Sequence, residues 1–195
     1  ASADIESECS ICHMPMAHAE AGAAGSKLGV FAYLPARQGK LRANLLAADG
    51  VSCAACHQIQ DRGLGQKESF TGGFVIDAQV PIGKRVIYGP YAVDKGRRTV
   101  MNSSSGFVPE MASHITGSEL CATCHTLYTH TLGANGDVIG LLPEQVPYLE
   151  WRHSGYSQVR SCPSCHMPVA EGETAITSVL GQPRNRLARH VFRAG

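Results

Sequence analysis

A chain of 195 residues can form one ordinary domain or two small ones, and its formal charge of +1 gives no sign of a nucleic-acid-binding surface. No stretch approaches the roughly 18 consecutive apolar residues that a membrane-spanning helix needs. With only 6% aromatic residues and 21 glycines, the side chains also offer little material for a hydrophobic core. We therefore expect neither a nucleic-acid partner nor a membrane span.

All eight cysteines belong to four copies of the pattern Cys-x-x-Cys-His. The copies are Cys9-Cys12-His13, Cys53-Cys56-His57, Cys121-Cys124-His125 and Cys162-Cys165-His166. Two thiols three positions apart on one helical turn can form thioethers to the two vinyl groups of one porphyrin, and the adjacent histidine supplies the proximal iron ligand. Disulfide frameworks and zinc ribbons also use paired cysteines, but neither requires a histidine after every pair. The sequence therefore predicts four covalently bound haem c groups.

Four haems in so short a chain would supply the apolar bulk that the side chains lack. We expect a single tetrahaem domain over residues 1–195, mainly α-helical with much irregular structure and with the haems as its core. Haem attachment of this kind is typical of cytochromes matured outside the cytoplasm. Because the chain begins with Ala1 and not with methionine, we also expect an exported protein, periplasmic or extracellular, whose signal has been removed.

In chain order, the first predicted helix after the opening motif begins at Ser52 and ends near Gly63. The segment that follows contains short β-branched runs separated by glycine and proline. This pattern is typical of a long loop, and it could carry a small β-hairpin around residues 74–88.

Two further helices are predicted in the second half of the chain. Residues 116–119, Thr-Gly-Ser-Glu, match a capping box, and the apolar pattern continues to a stop at Gly133. We therefore predict a helix over residues 117–131. Pro147 occupies a favourable first helical position, so another helix should run from there to about Ser157.

Each six-coordinate haem needs a distal ligand as well as a proximal one. Five histidines lie outside the motifs: His18, His114, His130, His153 and His190. On a continuous helix, a residue five positions after a proximal histidine lies about 140° around the axis, so His18 and His130 should face away from their own haems and ligate neighbouring ones. His153 could equally be a polar surface residue. Since the methionines are better explained as packing residues, we predict bis-histidine ligation throughout, and hence low potentials.

Three segments of the chain resemble a recurring signature of bacterial and archaeal multihaem c-type cytochromes: Ser118–Thr126, Tyr148–Trp151 and Cys162–Pro168. The second motif, with its flanks Gly50–Ile59, is similar to the preceding haem site of those proteins. The resemblance implies that His114 and His190 are distal ligands. It also implies a tetrahaem module, processed or cut from a longer chain, since the tail of the family usually continues beyond this point.

Electron transfer is the function that six-coordinate haems favour, because they leave no open position for a substrate at iron. The alternative is a module or catalytic fragment of an oxidoreductase acting on nitrite, hydroxylamine or a sulfur oxyanion; the resembling nitrite reductases use a Cys-x-x-Cys-Lys site, which this chain lacks. Some tetrahaem members of the family form extracellular filaments, and His18 and His190 near the two ends could join subunits. We predict an electron carrier without catalytic residues. Its partners would be redox proteins or extracellular acceptors and, in a homo-oligomer or filament, further copies of itself.

Overall fold

The computed structural model describes residues 2–33, 42–178 and 181–193. The α-helices in these residues are α1 (Ser2–His13), α2 (Pro15–Ala23), α3 (Arg42–Asp49), α4 (Cys53–Gln58), α5 (Lys95–Ser105), α6 (Ser118–Ala122), α7 (Pro147–Arg152) and α8 (Cys162–His166). The strands are β1 (Arg85–Gly89), β2 (Phe107–Met111), β3 (Leu127–Leu132), β4 (Val138–Gln145), β5 (Thr174–Ala175) and β6 (Pro183–Arg184). Short 3-10 helices cover Val30–Tyr33, Lys67–Ser69 and Ser113–Thr116.

Helices account for about 39% of the structure and strands for about 17%, so irregular segments are the largest class. The strands form three separate two-stranded sheets, β1 with β2, β3 with β4, and β5 with β6. The chain is therefore a mixed α/β protein, with more strand than the mainly α-helical prediction allowed.

The predicted helix over residues 117–131 is wrong, because α6 ends at Ala122 and β3 begins at Leu127. The capping box does not form, since the N-cap residue is Gly117 and no side chain caps the helix. Beyond the helix, Tyr128 and its threonine neighbours pair antiparallel with β4. β-Branched and aromatic residues suit a pleated strand, and this long-range pairing outweighs the local helical pattern.

A hairpin around residues 74–88 is also wrong. Residues 74–76 belong to no strand, and β1 pairs in parallel with β2, from Arg85 opposite Phe107 to Gly89 opposite Met111. Parallel neighbours need a crossover connection, which α5 supplies here. Asp94 caps the start of α5 by accepting a hydrogen bond from the Arg97 amide.

The other two predicted helices begin where expected but are shorter. Ser52 caps α4, which stops at Gln58 because Ile59 is extended and the Gln60 amide bonds to the Val75 carbonyl. Pro147 is the first residue of α7, which ends at Arg152 and not near Ser157. Residues 154–159 continue as turns.

The buried core of the polypeptide is small. Near the N-terminus, one cluster packs α2 and α3 together, with Cys9 of α1 against it; its buried residues are Met14, Ala17, Leu28, Val30 and Ala47. The largest side chains that are less than 2% exposed in the described residues are threonines and serines, among them Thr123 within the third motif and Thr126 directly after it. No helix in this part of the chain combines the length and apolarity needed to cross a membrane.

Candidate functional site

The second and fourth Cys-x-x-Cys-His motifs each open a short helix behind a serine cap. Ser52 Oγ accepts a hydrogen bond from the Ala55 amide at 3.4 Å, and Ser161 Oγ accepts one from the Ser164 amide at 3.3 Å. A capping serine satisfies an amide that the first helical turn leaves unpaired. Each motif therefore begins at a defined helix start, with its two cysteines on a single turn.

The first and third motifs lie at helix ends. The first occupies the last turns of α1, which ends at its own proximal histidine, His13. The third begins in α6 and continues for one turn beyond it, because the His125 amide still bonds to the Cys121 carbonyl at 2.9 Å. The spacing required for two thioethers to one porphyrin is thus kept in these motifs as well.

Cysteines of different motifs meet at the third motif. The Cys12 and Cys124 thiols are close enough for their interaction to raise the pKa of Cys12 and lower that of Cys124, and the Cys121 and Cys162 thiols form a second such pair. The interaction with Cys12 lowers the pKa of Cys124 to about 7, while the same interaction and then burial raise the pKa of Cys12 itself. Burial, and then the neighbouring Cys124, raise the pKa of Cys56. The third motif therefore lies between the other three.

Backbone carbonyls hold the proximal histidines of the second and fourth motifs. His57 Nδ1 lies 2.6 Å from the Tyr88 carbonyl oxygen, and His166 Nδ1 lies 2.7 Å from that of Arg193. A carbonyl can only accept, so Nδ1 carries the proton in both rings and Nε2 is left free. Metal-binding histidines show this same arrangement, in which a second hydrogen bond fixes the tautomer and the ring orientation.

His190 faces the proximal histidine of the second motif. Its ring centroid is 5.9 Å from that of His57, with 38° between the planes. A metal–imidazole bond of about 2 Å places the centroids of two trans imidazoles roughly 6 Å apart. Burial, and then the proximity of His57, lower the pKa of His190 and so favour the neutral form that binds metals. The donor set and the spacing fit one iron between the two rings.

His18 lies on α2, beyond a break in the helix at Met14 that precedes Pro15, so the continuous-helix argument does not apply to it and its role as a ligand stays a prediction. Its Nδ1 is 2.8 Å from the Oγ of Ser10, a fully buried residue of the first motif that donates its own proton to the Ser7 carbonyl. Ser10 must therefore accept from Nδ1, which leaves Nε2 of His18 free. Burial also lowers the pKa of His18.

His114 is placed close to the second motif but is turned differently. Its Nε2 lies 2.8 Å from the Ile59 carbonyl oxygen, so Nε2 carries the proton, and its ring packs edge-on against Tyr88 with 4.9 Å between centroids. Among the ring contacts of the described residues, His190 is the candidate that faces a proximal histidine. The predicted ligand role of His114 would require its Nδ1 or a rotation of the ring.

His130 and His153 lie on exposed surfaces. His130 belongs to β3 and not to a helix, so the helical argument for its direction was wrong. Its Nδ1 is 3.3 Å from Glu8 Oε1, one residue before Cys9, which places it beside a motif other than its own. His153 is the C-cap residue of α7 and contacts no proximal histidine ring in the described residues. Their predicted roles as ligands stay predictions.

Two buried polar atoms next to proximal histidines have no hydrogen-bond partner among the described residues. They are Gln58 Oε1, after His57, and Thr126 Oγ1, after His125. Buried polar atoms are almost always satisfied in folded proteins, so an unpaired atom indicates a missing partner such as water or a bound group.

The described residues contain no group of three or more His, Cys, Asp or Glu side chains that could hold a bare metal ion. A haem iron does not need such a group, because the porphyrin supplies four ligands and the protein one or two. The chain matches no protein-family model, no curated protein and no solved structure.

Proposed function

We propose that this chain is an exported multihaem c-type cytochrome that transfers electrons through four covalently attached haems. The observation that carries the proposal is the pairing of His57 and His190 at the separation expected for two ligands of one iron. The four attachment motifs on helical turns add the anchoring chemistry. Haem iron, when bound, supplies the one-electron couple, and the site residues hold and orient it.

The residues around the second motif have distinct tasks in this proposal. Cys53 and Cys56 anchor the porphyrin edge, and His57 presents Nε2 because Tyr88 holds its Nδ1 proton. His190, whose pKa is lowered by partial desolvation and by the nearby His57, would hold the same iron from the opposite side. If His57 and His190 both hold the iron, that haem would supply one-electron transfer and would leave no position for a substrate, which favours electron transfer over reduction of nitrite, hydroxylamine or a sulfur oxyanion.

The composition of the interior also supports the proposal. Four of the nine buried apolar residues in the described part of the chain are alanines, whereas larger apolar residues of β4 such as Ile139 and Leu141 are 65% and 56% exposed. A chain of this size normally buries larger apolar side chains. Four porphyrins would provide the apolar surface that the polypeptide lacks, with the third motif bringing the attachment points together.

The test is to produce the chain in a host that attaches haem c outside the cytoplasm, and then to measure its mass, its electron paramagnetic resonance spectrum and its response to carbon monoxide. We expect the mass of the chain plus four haems, low-spin signals only and no carbon monoxide complex. A protein with fewer haems would contradict the cofactor assignment. A high-spin haem that binds carbon monoxide would contradict the carrier function.

Assembly into an extracellular filament is a separate part of the proposal, in which a terminal haem takes its distal ligand from the next copy. His18 supports it, because its Nε2 is free and it faces no proximal histidine ring among the described residues. Electron microscopy of the purified holoprotein should show filaments that His18→Ala abolishes and His153→Ala preserves. Dispersed particles for the unmodified chain would exclude assembly without affecting the carrier function.

A further inference from the structure

A turn formed by residues 70–73 is attached to the backbone of the third motif. The Gly72 amide bonds to the Thr123 carbonyl at 2.7 Å, and the Thr71 amide bonds to the Thr126 carbonyl at 2.9 Å. Thr71 Oγ1 in turn accepts a hydrogen bond from the Tyr128 amide at 3.2 Å. Thr71 and Gly72 both have left-handed backbones, with φ of 55° and 76°. The turn is therefore a fixed extension of the third motif.

The opposite side of the same turn packs on the first motif. A Cβ atom placed on Gly72 would overlap Cγ2 of Ile11, and it would lie 3.1 Å from Cβ of Ile11 and 3.6 Å from Sγ of Cys12. Ile11 stands between the two cysteines of its motif, so the Gly72 backbone lies directly against the first attachment site. Only a residue without a side chain fits between the two motifs here.

We propose that the 70–73 turn is the spacer that sets the separation of the first and third attachment sites, and that Gly72 is its positioning residue. The inference rests on the proposed haem function. It goes beyond it because Gly72, which belongs to neither motif, would control the rate of electron exchange between the first and third haems. A side chain at position 72 has to push Ile11, and the first motif with it, away from Thr123. Since electron tunnelling falls steeply with distance, exchange between the two attached groups should fall as well.

The chain offers a matched control for the backbone cost of the substitution. Gly63 has a φ of 70°, close to that of Gly72, but a Cβ atom there would meet nothing within 4 Å. Alanine at either position pays a similar penalty for the left-handed conformation. A difference between Gly72→Ala and Gly63→Ala therefore reports the contact with Ile11.

The experiment compares four holoproteins: the unmodified chain, Gly72→Ala, Gly63→Ala and the double variant Ile11→Ala/Gly72→Ala. Mass spectrometry first counts the haems. Electron paramagnetic resonance of the oxidised proteins then measures the magnetic interaction between haems, and nuclear magnetic resonance of partly reduced samples measures their intramolecular electron exchange. We expect Gly72→Ala to weaken the interaction and to slow exchange several-fold. Gly63→Ala should match the unmodified chain, and the double variant should recover most of the loss because it removes Cγ2.

Equal spectra and exchange rates for Gly72→Ala and Gly63→Ala would overturn the spacer. If Gly72→Ala does not mature, a double variant that carries four haems with near-normal exchange still supports it. If neither Gly72→Ala nor the double variant attaches four haems while Gly63→Ala does, the spacer is overturned, because removing the clash with Ile11 would then restore nothing. An unmodified chain without four haems is a different result, which contradicts the proposed function.

Discussion

In the second and fourth motifs, a serine caps the helix and a distant carbonyl holds the proximal ring, whereas the first and third motifs are held mainly against each other. Ser52 and Ser161 provide the caps, and the carbonyls come from Tyr88 and Arg193. In the described part of the chain, His125 has no hydrogen-bond partner for its ring. Its motif is instead held by the 70–73 turn, whose Thr71 and Gly72 amides bond to the Thr126 and Thr123 carbonyls.

The difference suggests two ways of stabilising the same pentapeptide. A capped helix with an anchored ring needs only one remote backbone carbonyl, so the rest of the motif does not have to be buried. Cys165 and His166 of the fourth motif are exposed. In the third motif, the two residues between the cysteines, Ala122 and Thr123, are almost fully buried, although His125 is exposed. Mutation of the fourth motif should therefore affect only its own haem site, whereas mutation of the third should also destabilise the other motifs.

Removing attachment at the third motif should produce the largest effect. Cys121→Ala/Cys124→Ala and Cys162→Ala/Cys165→Ala should each lower the mass by one haem, but the first pair should lower the unfolding temperature much more, because it empties the contact point of all four motifs. Mass spectrometry and thermal unfolding measure the two quantities. Equal losses of stability would show that the third motif is not central.

The next largest effect should come from His190, the distal ligand that we propose at the second motif. His190→Ala should convert one of the four haems to a high-spin form that binds carbon monoxide, because it removes the imidazole facing His57. His190→Met should instead keep a sixth ligand and raise the potential of that haem. The control His153→Ala should leave the spectra unchanged. A low-spin spectrum in His190→Ala would assign the distal position to another residue.

The first motif should respond to Ser10 more moderately. Ser10→Ala removes the acceptor of the His18 Nδ1 proton from a fully buried site, which should cost about 1–3 kcal/mol in the free energy of unfolding. Ser26 also hydrogen-bonds through its hydroxyl but is exposed, so Ser26→Ala should change that energy by less than about 0.5 kcal/mol. Denaturant titration of both variants decides the matter. Similar losses would mean that the buried bond contributes nothing specific.

The smallest effect belongs to the serine cap of the fourth motif. Ser161→Ala should destabilise the protein by about 1 kcal/mol, because the Ser164 amide loses its partner at the helix start. The haem count should stay at four. Ser104→Ala, on an exposed position of α5, is the control, and an equal change in both variants would argue against a capping role.

The sequence predicted the local features of the site better than its tertiary contacts. Ser52 and Pro147 were correctly placed at helix starts, because capping and first-turn preferences depend on neighbouring residues alone. The carbonyls of Tyr88 and Arg193 could not be predicted, since every residue has a carbonyl and no side chain marks which one is used. β3 was missed because its pairing with β4 depends on a partner distant in the chain.

The C-terminal segment contacts two motifs within a few residues. His190 faces His57 of the second motif, and three positions later the Arg193 carbonyl accepts from His166 of the fourth while its amide bonds to the His166 carbonyl. A short tether gives its second contact a high effective concentration once the first has formed. Thermodynamic linkage then requires the coupling to be reciprocal, so a change that stabilises the Arg193–His166 contact also stabilises the position of His190 opposite His57. Two sites far apart in the sequence thereby share a single binding equilibrium.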